Sequence, residues 1–233
     1  MIKLPLIAMS LGLVTAPTIA AADDNWYVGI GGGSTRLVSS DLESGYAQDN
    51  TGTPRILTSS YLDESGGSWK VFGGWRPMRY MAIELNYADY GSQKLGYAGG
   101  PINVGPVAFY EIDARDAKRR VTAWGADVIG FWPITESVEL FGGIGIAQAQ
   151  VKLDANFTKR TLFADKEGSS SDTHRSTAPR FRLGGSFTPW SEWAFRLEYE
   201  YLDEVGNAFD RVGSGHVGRS AQETIWASVV RSF

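Results

Sequence analysis

Cysteine is absent from this sequence of 233 residues, and histidine occurs only twice. A chain without cysteine cannot rely on a disulfide framework, and two histidines offer little for catalysis. After the first 22 residues, no apolar run is long enough to cross a bilayer as a helix. The net charge of −4 gives no indication of nucleic-acid binding. We therefore expect no cofactor, no metal ion and no nucleic-acid partner.

The amino terminus has the composition of a secretory leader. Lys3 supplies a basic residue, an apolar stretch runs from Leu4 to Ile19, and Ala20 to Ala22 form a small-residue cleavage site. We interpret residues 1–22 as a signal peptide and residues 23–233 as the exported chain.

Strict alternation of apolar and polar residues is the main structural signal that the sequence contains. From 195 to 201, one face carries Phe195, Leu197, Tyr199 and Tyr201, and the other carries Arg196, Glu198 and Glu200. A period of two is that of a β-strand. In a soluble sheet the charged face would meet water. Because the chain begins with a secretory leader and its strands are rich in glycine and aromatic residues, we predict the inverse. The apolar face would then contact lipid, and the charged face would lie inside a closed barrel.

Eight segments alternate in this way after the leader. They are Trp26–Gly33, Trp69–Trp75, Tyr80–Tyr90, Val121–Trp132, Val138–Val151, Arg180–Phe187, Phe195–Tyr201 and Thr224–Phe233. Three short turns, at Pro77, Pro133 and Pro189, alternate with four long polar segments. We predict these segments, at about residues 36–67, 91–118, 152–178 and 203–220, to be solvated loops.

Short turns at one end and long loops at the other are typical of outer-membrane barrels. The sequence therefore predicts a single all-β domain, an eight-stranded antiparallel transmembrane up-and-down β-barrel. A soluble exported β-sandwich is the alternative fold.

Four short stretches resemble the OmpA-like family of outer-membrane barrels. They are Asn25–Gly29, Phe72–Pro77, Glu84–Tyr87 and Arg196–Tyr199. The resemblance implies the outer membrane of a Gram-negative cell, both termini in the periplasm, and contact with outer-membrane lipid and lipopolysaccharide. It leaves the ligand of the extracellular loops unknown. Because the sequence ends at Phe233, we expect the transmembrane domain without the family's peptidoglycan-binding domain.

The carboxyl-terminal Phe233 is similar to the signal by which the barrel-assembly machinery recognises its substrates in this family. The residue two places earlier is usually apolar or aromatic there, whereas this sequence has Arg231. We expect Arg231 to lie near the periplasmic interface, where an arginine costs only about 0–1 kcal/mol because it can reach the headgroups.

Inward-facing charges define the candidate site. Charges enclosed at low dielectric must pair, so we predict an ion-pair network in the lumen. The members of this network are Glu84, Asp127, Arg182, Arg196 and Glu198.

In the family, a glutamate of strand three pairs with an arginine of strand seven and can exchange it for a lysine of strand four, which is proposed as a gate. Glu84 and Arg196 match the first two positions, but strand four offers Asp127 and no lysine, and Arg182 is the substitute partner that we would test. Two functions follow as hypotheses: a structural or surface-interaction barrel with a plugged lumen, or a narrow, porin-like gated channel.

Seven tryptophans predict two interfacial girdles. They are Trp26, Trp75, Trp132, Trp190 and Trp193 toward the short turns, and Trp69 and Trp124 toward the long loops. A remote alternative function is a lipid A-modifying enzyme, because His174 and Ser176 have a His-x-Ser spacing in a predicted loop. Thr177 departs from the asparagine of such enzymes, and we predict that the protein is not an enzyme.

Overall fold

The computed structural model describes residues 25–38, 46–48, 54–63, 66–103, 109–161, 165–205, 210–212, 215–217 and 220–233. The predicted signal peptide, residues 1–22, lies outside the described residues. Within them, regular secondary structure is entirely β-strand. They contain no helix that is long and apolar enough to cross a membrane.

Eight strands form the barrel. Their bounds are β1 Trp26–Val38, β2 Gly66–Met78, β3 Met81–Asn103, β4 Phe109–Pro133, β5 Val138–Thr161, β6 Asp165–Trp190, β7 Trp193–Val205 and β8 Ser220–Ser232. Four shorter strands are Tyr46–Gln48, Pro54–Asp63, Asp210–Val212 and Gly215–Val217. Each barrel strand pairs antiparallel with the next along the chain, and β8 pairs with β1. The predicted eight-stranded up-and-down barrel is confirmed.

The register of the strands shows that they are tilted. Cross-strand partners followed once around the barrel from Trp26 lead back to β1 at Arg36 and not at Trp26. A sheet closes with such a stagger only if its strands are inclined to the barrel axis. Inclined strands place side chains from distant parts of the sequence at one depth in the interior.

The prediction of four long loops is wrong for much of their length. Strands β3 to β6 continue far into residues 91–118 and 152–178, and Pro54–Asp63, in the first predicted loop, pairs with β3. In the fourth predicted loop, Asp210–Val212 pairs with Gly215–Val217. The sequence signal fails because successive residues there, such as His174, Arg175 and Ser176 on β6, are polar on both faces, so no alternation of apolar and polar residues marks the strand.

Aromatic residues ring the outside of the barrel at both ends of its apolar surface. All seven predicted girdle tryptophans are exposed: Trp26, Trp69, Trp75, Trp124, Trp132, Trp190 and Trp193. Toward the long hairpins, the Trp69 ring lies 5.7 Å from the ring of Tyr87, which pairs in turn with Trp124. We call these three residues the outer aromatic band. Two such bands mark the membrane boundaries of a transmembrane barrel.

Candidate functional site in the barrel interior

The middle of the barrel interior holds four cationic and four anionic side chains, each no more than 5% exposed. We call this set the inner charge layer. Its members are Lys70, Glu84, Asp127, Arg180, Arg182, Arg196, Glu198 and Glu200. The equal numbers follow from physics, because an uncompensated charge enclosed at low dielectric is strongly unfavourable.

Strand alternation places these side chains in the interior. On β7, Leu197 is 63% exposed on the outer face, whereas the next residue, Glu198, is 2% exposed. Arg196 and Glu200 share the inward face with Glu198. The stretch that alternates most clearly in the sequence thus supplies three members of the layer.

Apolar side chains close the interior on both sides of the inner charge layer. Along β4, the inward positions are Val121 and Ala123 toward the long hairpins, Asp127 in the middle, and Ile129 and Phe131 toward the short turns. The upper apolar cluster also contains Ala88, Tyr90, Ala147, Ala149, Val151, Ala178, Leu202, Val205 and Trp226. The lower cluster also contains Tyr27, Phe72, Ala82, Phe141 and Val230.

Arg182 connects more of the layer than any other described residue. Its Nε and Nη2 donate to the two carboxylate oxygens of Glu198, at 2.8 and 2.6 Å. Its Nη1 donates to Glu84 at 2.5 Å and to Asp127 at 2.9 Å. The planar guanidinium is suited to such forked contacts. Arg182 on β6 therefore ties together charges from β3, β4 and β7.

Glu84 has two further donors in addition to Arg182. Nη1 of Arg196 donates to its Oε2 at 3.1 Å, and the Tyr27 hydroxyl donates to the same oxygen at 3.0 Å. The Arg196 guanidinium also lies within 5.6 Å of the centroids of four aromatic rings, close enough for cation–π attraction. These rings belong to Tyr27, Phe72, Phe131 and Phe141.

Asp127 and Arg180 form a second centre within the layer. Nε and Nη2 of Arg180 donate to the two oxygens of Asp127 at 2.9 and 2.6 Å. Asn86 completes the group by donating to Asp127 at 2.8 Å and accepting from Arg180 at 2.6 Å. Gly125 and Gly145 leave room for these groups, because a Cβ on either would lie within 3.0 Å of Arg180 or Asp127 respectively.

Replacing Gly145 with alanine should lower the free energy of unfolding by about 1–3 kcal/mol, the usual cost of overpacking an interior. The new methyl group would lie within 3.0 Å of Asp127 Oδ1 and of the Ala126 carbonyl oxygen, so the ion pair with Arg180 would have to shift. Urea unfolding followed by tryptophan fluorescence measures the change. Gly185→Ala is the matched control, because its Cβ would meet nothing closer than 3.7 Å. Equal losses in both variants would contradict this account.

Sequence reasoning missed Lys70 on β2. Its Nζ donates to Glu198 at 2.6 Å and lies 4.9 Å from the centroid of the buried Trp226 ring. The family resemblance directs attention to strand four for a lysine. The alternation in β2 was sufficient to find it, because Trp69 and Val71 on either side are outward and exposed.

The structure brings all five predicted network residues together. Glu84, Asp127 and Glu198 all contact Arg182, and Arg196 contacts Glu84. Tyr90 also joins the layer by donating to Glu200 at 2.7 Å. The pairing predicted between Glu84 and Arg196 is present, but Arg182 makes the shorter contact with the same carboxylate.

His174 and Ser176 lie in β6 and not in a loop. They alternate with the exposed Thr173, Arg175 and Thr177, so both side chains lie on the inward side of the strand. A lipid A-modifying site would have to face the outer leaflet, and this placement does not support one. His216 lies in the short strand Gly215–Val217.

The carboxyl terminus is held at the seam between β8 and β1. The Phe233 backbone N–H donates to the Trp26 carbonyl oxygen at 2.9 Å, and the Phe233 side chain is exposed. The Arg231 guanidinium lies 5.5 Å from the Trp193 ring and 5.2 Å from the Phe233 ring, and it donates to Glu192 at 3.4 Å. This arginine on the outer surface therefore has partners at the short-turn end.

Comparisons with known proteins agree with this architecture. The OmpA-like transmembrane domain family matches residues 21–230. Outer membrane protein P5 of Haemophilus influenzae is 23% identical over 208 residues, which cover 86% of this chain and 51% of the relative. The chain thus spans about half the length of the curated relative that it matches.

Solved structures share the fold at low sequence identity. Neisserial surface protein A has a TM-score of 0.53 at 14% identity, with 90% of this chain and 97% of that chain covered. The outer membrane protein OprG of Pseudomonas aeruginosa also has a TM-score of 0.53, at 13% identity, with the same coverage. Together with the family match over residues 21–230, these results mean that the chain belongs to the OmpA-like transmembrane domain family of outer-membrane β-barrels.

Proposed function

We propose that the protein is a non-enzymatic outer-membrane barrel with a closed lumen, whose role lies in the surface that it displays outside the cell. The observation that supports this proposal is the inner charge layer packed between two apolar clusters. The interior of an eight-stranded barrel is only just wide enough for its own side chains. Here the side chains are also cross-linked by ion pairs, which opposes the opening of an aqueous path.

The displayed surface is large. Strands β5 and β6 contain 24 and 26 residues, whereas a tilted strand needs only about 9–11 to cross the bilayer. In the orientation that the family implies, the short turns and both termini lie in the periplasm. The extensions of β3 to β6 then project from the cell as paired hairpins.

A narrow gated channel is the second candidate, and one observation favours it. Glu84 has both Arg182 and Arg196 as partners, and Glu198 has both Arg182 and Lys70. Each carboxylate could therefore give up one cation and keep another. If the cation released is Arg182, the lumen would rearrange without leaving a buried charge of this set unpaired, because Arg182 also contacts Asp127 and the carboxylates keep Arg196 and Lys70.

Conductance across planar bilayers separates the two candidates. For a closed lumen we expect no discrete current steps from the refolded wild type, because the inner charge layer fills the section of the barrel. Heat-modified migration on gels confirms folding before each recording. Discrete current steps in the wild type would instead indicate a channel. A channel gated by the inner charge layer would give altered steps in Glu84→Ala and wild-type steps in the control Glu136→Ala, which lies at an exposed short turn.

A further inference from the structure

An ion pair crosses the interior of the barrel at the short-turn end. Arg76 points inward near the end of β2, and Glu139 points inward at the start of β5. Nη1 and Nη2 of Arg76 donate to the two carboxylate oxygens of Glu139 at 3.2 and 2.9 Å. In the barrel, β3 and β4 lie between these two strands. The pair therefore runs across the lumen and not along its wall.

Phe131 connects this ion pair to the packed interior. The Arg76 guanidinium lies 4.0 Å from the centroid of the Phe131 ring, which is the distance of a cation–π contact. Phe131 is buried and belongs to the lower apolar cluster. We call Arg76, Glu139 and Phe131 the mouth cluster. It lies directly against the side chains that close the interior.

The turn after β2 fixes the position of Arg76. Its Nε donates to the Arg79 carbonyl oxygen at 3.0 Å, and its Nη2 donates to the same oxygen. Its backbone N–H donates to the Asn25 carbonyl oxygen at 2.7 Å. The side chains of Arg76 and Glu139 are only 24% and 17% exposed, so water screens their attraction less than that of a surface pair. The guanidinium is thus held across the lumen by the turn as well as by Glu139.

The mouth cluster covers an arginine that has an unsatisfied donor. The Arg196 guanidinium lies 5.6 Å from the centroid of the Phe131 ring, and its Nε is buried without a hydrogen-bond partner among the described residues. Buried polar groups are normally hydrogen-bonded, to the protein or to water. Water that entered from the short-turn end could satisfy this donor. Opening of the mouth would therefore gain a hydrogen bond, and the mouth cluster opposes that opening.

We propose that the mouth cluster is a releasable lid. Breaking the pair of Arg76 and Glu139 uncovers Phe131 and admits water and small uncharged solutes as far as Arg196. No hydrogen bond of the strand ladder has to break for this movement, because the contacts involved are made by side chains. The lid is a barrier additional to the inner charge layer, on its short-turn side. The proposal goes beyond a closed lumen, since it holds whether or not the layer conducts.

The test uses the absence of cysteine from the sequence. Ser228→Cys introduces a single thiol at a buried, inward position whose cross-strand partner is Arg196. The full chain is refolded in nonionic detergent and treated with methyl methanethiosulfonate, a small uncharged reagent that modifies thiols. Mass spectrometry gives the rate of modification. With the mouth cluster in place, we expect this rate to be slow.

Arg76→Ala in the Ser228→Cys background should raise the rate. We expect an increase of about tenfold, because the rate follows the population of the open state, and a half-buried ion pair and a cation–π contact together contribute on the order of this factor. Arg76→Lys keeps a cation for Glu139 and should give a smaller increase. Glu139→Gln removes the charge of the acceptor, and it should also raise the rate if Arg76→Ala does not refold.

Arg79→Ala is the matched control, because it removes a charge from the same turn and keeps the carbonyl oxygen to which Arg76 donates. It should leave the rate unchanged. Val121→Cys places a thiol in the upper apolar cluster, and its rate should not depend on Arg76. An unchanged rate at position 228 in folded Arg76→Ala would overturn the proposal. An equal increase at position 121 would also overturn it, by reducing the effect to general loosening. Current steps from the wild type would contradict the closed lumen and not the lid.

Discussion

Replacing Arg182 with leucine should lower the free energy of unfolding by about 3–5 kcal/mol, the cost of removing one partner from a buried ion pair. Arg182 is the common donor to Glu84, Asp127 and Glu198, and leucine has neither a charge nor a hydrogen-bond donor for these carboxylates. Lys70, Arg180 and Arg196 remain, so the layer would carry three cations against four anions. Urea unfolding of the refolded barrel, followed by the shift between folded and unfolded bands on gels, measures the loss.

An exposed ion pair provides the control for Arg182. Arg36→Leu removes an arginine that also lies 3.0 Å from a glutamate, but at a surface position where such a pair contributes about 0–1 kcal/mol. If Arg182→Leu does not refold, Arg182→Lys keeps the charge, and we expect an intermediate stability. An Arg182→Leu barrel as stable as Arg36→Leu would show that the inner charge layer does not stabilise the fold.

Replacing Leu197 with arginine should cost about 2–4 kcal/mol, the penalty for a basic residue facing lipid near the bilayer midplane. Leu197 is 63% exposed and lies midway along β7 between the outward aromatics Trp193 and Tyr201. A side chain at that depth is far from either interface. Urea unfolding in lipid vesicles gives the change in free energy.

A substitution at the edge of the membrane provides the comparison for Leu197. Ser34→Arg introduces the same side chain on the outward face of β1, two residues before Arg36 reaches its partner Glu223. We expect a cost of only about 0–1 kcal/mol there. Equal costs at the two positions would contradict the depth that we assign to them, and with it the transmembrane position of this surface.

The sequence predicts the fold best where one face of a strand meets lipid and the other meets the interior. Alternation from Phe195 to Tyr201 is sufficient to assign both faces, because each side imposes a different chemistry on successive residues. The same argument places Glu84, Asp127 and Arg182 inside. It loses its power in the extension of β6 from Asp165 to Thr177, where polar residues occupy both faces. This part of the strand is held by its backbone ladder and by side-chain hydrogen bonds from Ser171, Arg175 and Thr177 to β5.

The choice of partners within the interior could not be predicted from alternation alone; the pair of Glu84 and Arg196 was expected from the family resemblance. Alternation predicts that Arg182 and Arg196 point inward. Their depths in the barrel depend on the stagger with which the sheet closes, and no local sequence pattern encodes that stagger. Only the complete register shows that Arg182 reaches three carboxylates and that Lys70 reaches Glu198. The family has its lysine in strand four, where this sequence has Asp127; the additional cations of the layer are Arg182 on β6, the substitute partner expected for Glu84, and Lys70 on β2.

The inner charge layer also has a consequence for how the barrel assembles. Its contacts join residues far apart in the chain: 128 positions separate Lys70 from Glu198, and 112 separate Glu84 from Arg196. Such contacts stabilise the chain only after the loop-closure entropy has been overcome. A half-built sheet would therefore carry solvated, unpaired charges on the surface destined for the interior, and these charges resist transfer into hydrocarbon. Closure of the barrel and its insertion into the membrane are thereby coupled, because a partly formed barrel is the species with the least favourable transfer into the bilayer.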